Sequence, residues 1–146
     1  MYERVLLPVD GSDPSFQAAE HAVDLAERYD ATLHVLHVID TAPYDAEVIT
    51  SAVIGDLEQQ GRNAIEEVVE LAPTSASKRI ETAIRRGNPY ETILEYVDEH
   101  DIDLIVMSTH GQTGIRRLVL GSVTEKIVRT APVPVHTVRA IPTESQ

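Results

Sequence analysis

Two apolar runs without polar interruption, Val5-Leu6-Leu7-Pro8-Val9 and Leu104-Ile105-Val106-Met107, limit the fold more than any other feature of the chain. A strand that is apolar on both sides has to be covered on both sides, and the sheets that achieve this are parallel ones with helices on each face. The rest of the chain fits that requirement, because strand and helix patterns alternate along it. Asp10-Gly11-Ser12 closes the first run as a turn, and Pro14 suits the first turn of a helix capped by Ser12 or Asp13. Ala18, Ala22, Leu25, Ala26 and Tyr29 then recur at helical spacing. Thr32 to Ile39 reads as a second strand, and Asp40 to Ala46 as a loop holding Pro43. A long helical pattern starts at Val48 and Ile49 and ends at Pro73, and Gly55 and Gly61 weaken it enough that a break is expected between them. Arg79 to Arg86 is a third strand, Asn88-Pro89-Tyr90-Glu91 a helix start, Asp103 to Met107 a fourth strand, and Ser122 to Thr130 a last helix. Pro132 separates that helix from a fifth strand, Val133 to Ala140.

The strands also indicate their own order. The first and fourth are continuously apolar and belong in the centre of the sheet. The third alternates Ile80, Thr82 and Ile84 with Glu81, Ala83 and Arg85, and the fifth mixes Pro134, His136 and Arg139 among valines, so both suit an edge. Right-handed crossovers then give an open five-stranded parallel sheet of order 3-2-1-4-5 with helices on both faces, a Rossmann-like α/β architecture. At 146 residues this is one domain, residues 1–140, with Ile141 to Gln146 as a short tail. Ligands of such sheets sit beyond the carboxyl ends of the strands that flank the switch in strand order. Here those ends are Val9-Asp10-Gly11-Ser12 and Ser108-Thr109-His110-Gly111.

The chain lacks cysteine, which removes disulfide frameworks, thiolate metal sites and cysteine nucleophiles. No apolar window approaches the ~20 residues of a membrane span, and the first strand begins almost at the N-terminus, so a cytoplasmic protein is expected. Twelve basic residues against 24 acidic ones give a net charge of −12. That charge disfavours nucleic acid and anionic membranes, whose affinity comes mainly from phosphate neutralisation. Only Lys78 and Lys126 are lysines, and the acids are spread along the whole chain. Lysine scarcity with dispersed acid excess fits adaptation to high salt, where screening suppresses self-repulsion.

Walker A, Gly-x-Gly-x-x-Gly and Gly-x-Ser-x-Gly patterns are absent. What remains at the switch is Ser108-Thr109-His110-Gly111-Gln112-Thr113-Gly114, then Ile115 to Leu120, then Gly121-Ser122-Val123-Thr124. Gly111, Gly114 and Gly121 permit close backbone approach, and Ser122 is a plausible cap at a helix start whose N–H groups and dipole favour anions. Glycines that only make turns, and a Ser122 that only caps, account for the same residues.

This loop resembles the universal stress protein family, within the adenine-nucleotide alpha hydrolase-like folds. ATP-binding members carry Gly-x2-Gly-x9-Gly-Ser/Thr, and Gly111, nine residues, then Gly121-Ser122 match its latter part. Ser108 stands where the first glycine belongs, and either crowds a ribose or replaces a backbone contact with a hydroxyl bond. The resemblance extends through Leu7-Pro8-Val9-Asp10-Gly11-Ser12, His37-Val38-Ile39-Asp40, Gly121-Ser122-Val123-Thr124-Glu125-Lys126 and Ala131-Pro132-Val133-Pro134-Val135. It implies an ATP site in which Pro8, Val9 and Asp10 lie beside the nucleotide and Val38 meets adenine through its backbone. Ser108, Thr109, His110, Gly111, Gln112, Thr113 and Gly114 would wrap ribose and phosphates, and Ser122, Val123 and Thr124 would hold phosphate oxygens. Arg116 and Arg117 would add positive potential or simply be solvated. Magnesium or manganese would arrive with the nucleotide, near Asp10.

His34 and His37 lie three apart on a strand and face opposite sides, while His21, His100 and His136 look isolated, so no zinc site is expected. The loop offers anion donors and no obvious base, which favours a nucleotide-dependent regulatory module acting on an unidentified protein partner. A slow ATPase or phosphotransferase, and a nucleotide-independent dimeric scaffold, stand as alternatives. The fifth strand, Val133 to Ala140, is an apolar edge with little charge, and the resemblance also implies a homodimer through it.

The charge yields a test. Lowering sodium chloride from 1 M to 0.01 M lengthens the screening distance from about 3 Å to about 30 Å. The melting temperature is expected to fall over that range, and thermal unfolding followed by circular dichroism checks it. A flat or rising melting temperature contradicts salt adaptation.

Overall fold

The computed structural model describes residues 1–73, 79–109 and 121–139. Five strands, β1 (Arg4–Pro8), β2 (Thr32–Ile39), β3 (Ile80–Arg86), β4 (Leu104–Ser108) and β5 (Val135–Val138), form one sheet of order β3-β2-β1-β4-β5. All four strand pairings are parallel. The helices among the described residues are α1 (Asp13–Tyr29), α2 (Ser51–Leu71), α3 (Pro89–Glu99) and α4 (Ser122–Thr130). The architecture and strand order are those expected from the apolar runs.

Alternation on the central strands builds two cores. Val5 and Leu7 of β1, with Val35 and Val106, face α1 and α2, where Ala18, Ala22, Ala64 and Val68 meet them. Leu6, Leu36 and Ile105 face the opposite side and pack with Ile93, Tyr96 and Val97 of α3 and Ile127 of α4. The alanines of α1 let that helix lie close over the middle of the sheet. Asp103 pins the start of the central pair, its carboxylate accepting from the N–H groups of Glu3 at 2.9 Å and Arg4 at 3.2 Å.

Local signals place most helix ends. Ser12 is the cap of α1, its hydroxyl accepting from the Ser15 N–H, and Asn88 caps α3 by accepting from the Glu91 N–H at 3.0 Å. Four expectations need correction. The helical pattern does not begin at Val48 and Ile49, because Thr50 caps α2 and Val48 lies in a turn closed on the Asp45 carbonyl. Helix α2 does not break between Gly55 and Gly61, since Ala64, Ile65 and Val68 hold it on the sheet. The fourth strand is displaced by one residue and includes Ser108. The fifth begins at Val135 rather than Val133, because Pro132 and Pro134 have no N–H to give a ladder. Its expected end at Ala140, the tail 141–146 and Lys78 lie outside the described residues.

The histidines differ most from expectation. His34 and His37 do face opposite sides of β2: His34 meets Tyr96 of α3, and His37 meets Gly61 of α2. His100 is not isolated, for its ring stacks on Tyr96 at 3.9 Å and lies 5.4 Å from His34. His21 and His136 are not isolated either, with ring centroids 6.0 Å apart.

His34 is buried, and its Nδ1 lies 2.7 Å from the Tyr96 hydroxyl. A tyrosine hydroxyl donating to Nδ1 requires the neutral ring. Burial pushes the His34 pKa down, Glu81 opposes the shift, and His100 and Arg4 add to it. A histidine whose folded pKa is depressed contributes stability that is complete above its ordinary value of about 6.5 and is lost as the pH falls below it. Urea unfolding at pH 7.5 and 5.5 is therefore expected to show a loss of stability that His34→Gln reduces. An unchanged pH difference in the variant contradicts the assignment. Tyr96→Phe, which leaves the His34 nitrogen without its partner, is expected to cost about 1–3 kcal/mol at pH 7.5.

Candidate functional site

A cavity of about 430 Å³ opens at the carboxyl ends of β1, β2 and β4. This is within the range of roughly 300–1,000 Å³ usual for small-molecule pockets. It lies at the switch in strand order, where crossovers from the two central strands diverge to opposite faces.

The β1 end is built by hydrogen bonds back to α1. The Asp10 carboxylate accepts from the Ser12 N–H at 3.0 Å and from the Ser12 hydroxyl at 2.6 Å, and the Asp10 N–H donates to the Ser15 hydroxyl. Gly11 follows with φ of +84°, a backbone conformation that L side chains rarely adopt. Val9 donates its N–H to the Leu36 carbonyl, and its own carbonyl lies 2.9 Å from His37 Nδ1. The His37 ring in turn rests on α2 where Gly61 leaves room, since a Cβ there would come within 2.5 Å of His37 Cδ2. The width of the cavity on this side is thus set by a histidine, a carbonyl and a missing side chain.

The β4 end is tied to α4. The Thr124 hydroxyl donates to the Ser108 carbonyl at 2.9 Å, and the Gly121 N–H donates to the Thr109 carbonyl at 2.7 Å. Ser122 is not the cap of this helix. Gly121 occupies the cap position, no side chain closes the helix start, and Ser122 is the first helical residue. The first N–H groups of a helix have no acceptor within it, and the first one committed here is that of Glu125, to the Gly121 carbonyl. The start of α4 therefore presents backbone donors and the positive end of its dipole to the cavity wall.

Pro8, Val9, Asp10, Val38, Ser108, Gly121, Ser122, Val123 and Thr124 all line this one cavity. Thr109 does not; it joins β5 to the helix start by donating to the Val138 carbonyl and accepting from Gly121. His110, Gly111, Gln112, Thr113 and Gly114, like Arg116 and Arg117, lie outside the described residues. Sequence reasoning missed the far wall, to which Pro43 and Tyr44 of the loop after β2 and Leu57 and Gln60 of α2 contribute. Tyr44, an aromatic residue in a Pro-containing polar loop, was the one available signal. Among the described lining residues the charged ones are Asp10 and Asp40, both acidic. An anion there would rely on backbone donors, or on a cation held between it and the carboxylates.

Comparison with known proteins agrees with this picture. The universal stress protein family model matches residues 1–139. A universal stress protein of Methanocaldococcus jannaschii is 35% identical over 142 residues, covering 95% of this chain and 83% of its own length. Among solved structures, the universal stress protein UspA of Lactobacillus plantarum superposes with a TM-score of 0.73 at 33% identity, covering 94% of this chain and 98% of the other. A universal stress protein solved in complex with cAMP superposes with a TM-score of 0.69 at 25% identity, covering 94% and 97%. The chain belongs to the universal stress protein family.

Proposed function

We propose that the chain binds ATP in the switch-point cavity and acts as a nucleotide-dependent regulatory module of the stress response in the cytoplasm. The observation that carries the reading is the uncapped start of α4 opening on the cavity between the ends of β1 and β4. The cAMP complex of a related protein supports an adenine nucleotide as the ligand class. In this reading the Val38 backbone meets adenine, Asp10 meets the ribose or a magnesium or manganese ion, and the N–H groups of Ser122, Val123 and Thr124 meet phosphate oxygens. Ser108, at the end of β4, meets the ribose; the contacts that the resemblance implies for 110–114 lie outside the described residues. Binding rather than turnover is the function, with partner contacts changing as the site fills.

The test exploits the helix start. Proline suits the first helical position, and Gly121 before it is already extended, with φ −62° and ψ 157°. Ser122→Pro therefore keeps α4 and removes one backbone donor and one hydroxyl. Hydrogen bonds to charged groups contribute about 1.5–3 kcal/mol, so equilibrium dialysis in high salt is expected to show ATP binding weakened by about 10–100-fold with the melting temperature retained. Failure of the folded wild-type protein to bind ATP, AMP or cAMP below millimolar concentration overturns the reading.

We also propose a homodimer formed by antiparallel pairing of β5 with its copy. The Ile105 N–H donates to the Pro134 carbonyl and the Thr109 N–H to the Val138 carbonyl, so the even-numbered residues of β5 face β4. Val135 and Thr137 consequently turn their backbone groups outward, where the described residues supply no neighbouring strand. Thr137 is exposed, so Thr137→Pro removes an outward donor and leaves the β4 ladder intact. Light scattering is expected to show a dimer for wild type and a monomer for the variant. A wild-type monomer at micromolar concentration in high salt refutes the assembly.

A further inference from the structure

We infer that His21 and His136 form a two-histidine site for a divalent transition-metal ion, separate from the nucleotide cavity. The two residues are distant in sequence and are brought together by the packing of α1 on the edge of the sheet. Val138 belongs to the core layer on the α1 side. Side chains two apart on a strand share a face, so His136 also projects to that side. There its ring lies 6.0 Å from that of His21, centroid to centroid, with the planes inclined by 40°.

Both residues are exposed, and neither ring makes a hydrogen bond among the described residues. The other described histidines are committed: His34 to the Tyr96 hydroxyl, His37 to the Val9 carbonyl and His100 to the Tyr96 carbonyl. A metal–nitrogen distance of about 2.0–2.1 Å allows two imidazoles to share one ion at centroid separations of roughly 5–6 Å. The observed pair, at 6.0 Å, stands at the outer end of that range. Imidazole ligands suit zinc, nickel and copper(II) rather than magnesium or calcium. No group of three or more histidine or acidic side chains suited to a metal exists among the described residues. Among the described residues, then, the two imidazoles are the ligands supplied to the ion, and water fills its other positions. The chain's net charge of −12 favours cation approach.

An ion held this way links α1 to β5 only in the folded chain, so it stabilises the fold by mass action. The test uses copper(II) and nickel(II) as probes on the full-length protein at pH 7.5 in high salt, with wild type, His21→Ala and His136→Ala. Paramagnetic resonance of the copper complex at one equivalent is expected to show two imidazole nitrogens in wild type and one in each variant. Nickel is expected to raise the melting temperature of wild type and of neither variant. Both substitutions lie outside the cavity lining, so ATP binding should match wild type. A two-nitrogen copper spectrum that persists in His136→Ala, or a nickel-induced shift equal in all three proteins, overturns the proposal.

Discussion

Burial of β1 and β4 on both faces is the constraint from which the rest of the structure follows. Val5, Leu6, Leu7, Ile105 and Val106 are all inaccessible to solvent, and at about 25 cal/mol per Å² of apolar surface such strands contribute heavily to folding. Covering both faces forces one crossover to each side of the sheet. The two central strands then end side by side with their connections diverging, and a cleft is left between the ends. The cavity is a consequence of how the apolar surface is buried, not a later addition to it.

The same logic decides what was legible in the sequence. Strand order was readable because the degree of alternation reports burial directly, and Ser12 and Asn88 were readable as caps because their bonds are local. Three features depend on contacts far apart in the chain and were not. Ser122 looked like a cap, yet Gly121 takes that place because its N–H closes on the Thr109 carbonyl. The persistence of α2 through two glycines depends on the sheet beneath it. The pairing of His21 with His136 depends on how α1 lies across the edge strand, which no periodicity within either element reports. Of the cavity, the ends of β1 and β4 were legible, and the wall made by Tyr44, Leu57 and Gln60 was not.

Among the described residues, the positive potential facing the cavity comes from main chain. The protein carries a large negative charge, and the charged residues described around the cavity are Asp10 and Asp40. Backbone N–H groups concentrated at a helix start supply positive potential without any side-chain cation. They also lose little freedom on binding, since the helix already fixes them. Asp10 is fixed as well, with Ser12 donating to it twice.

Gly61 shows how far the demands of the cavity reach into the surrounding helices. A glycine inside a helix costs about 1 kcal/mol relative to alanine, and the usual remedy would be a small side chain. Here even a methyl group would collide with the His37 ring. That ring cannot simply swing away, because its Nδ1 is engaged by the carbonyl of Val9, whose N–H is held by Leu36. Moving His37 would disturb the strand end that positions Asp10. The local helix penalty at Gly61 is therefore offset by keeping α2 close to β2, and the glycine that weakened the helix signal in the sequence is the residue that lets α2 form the wall of the site.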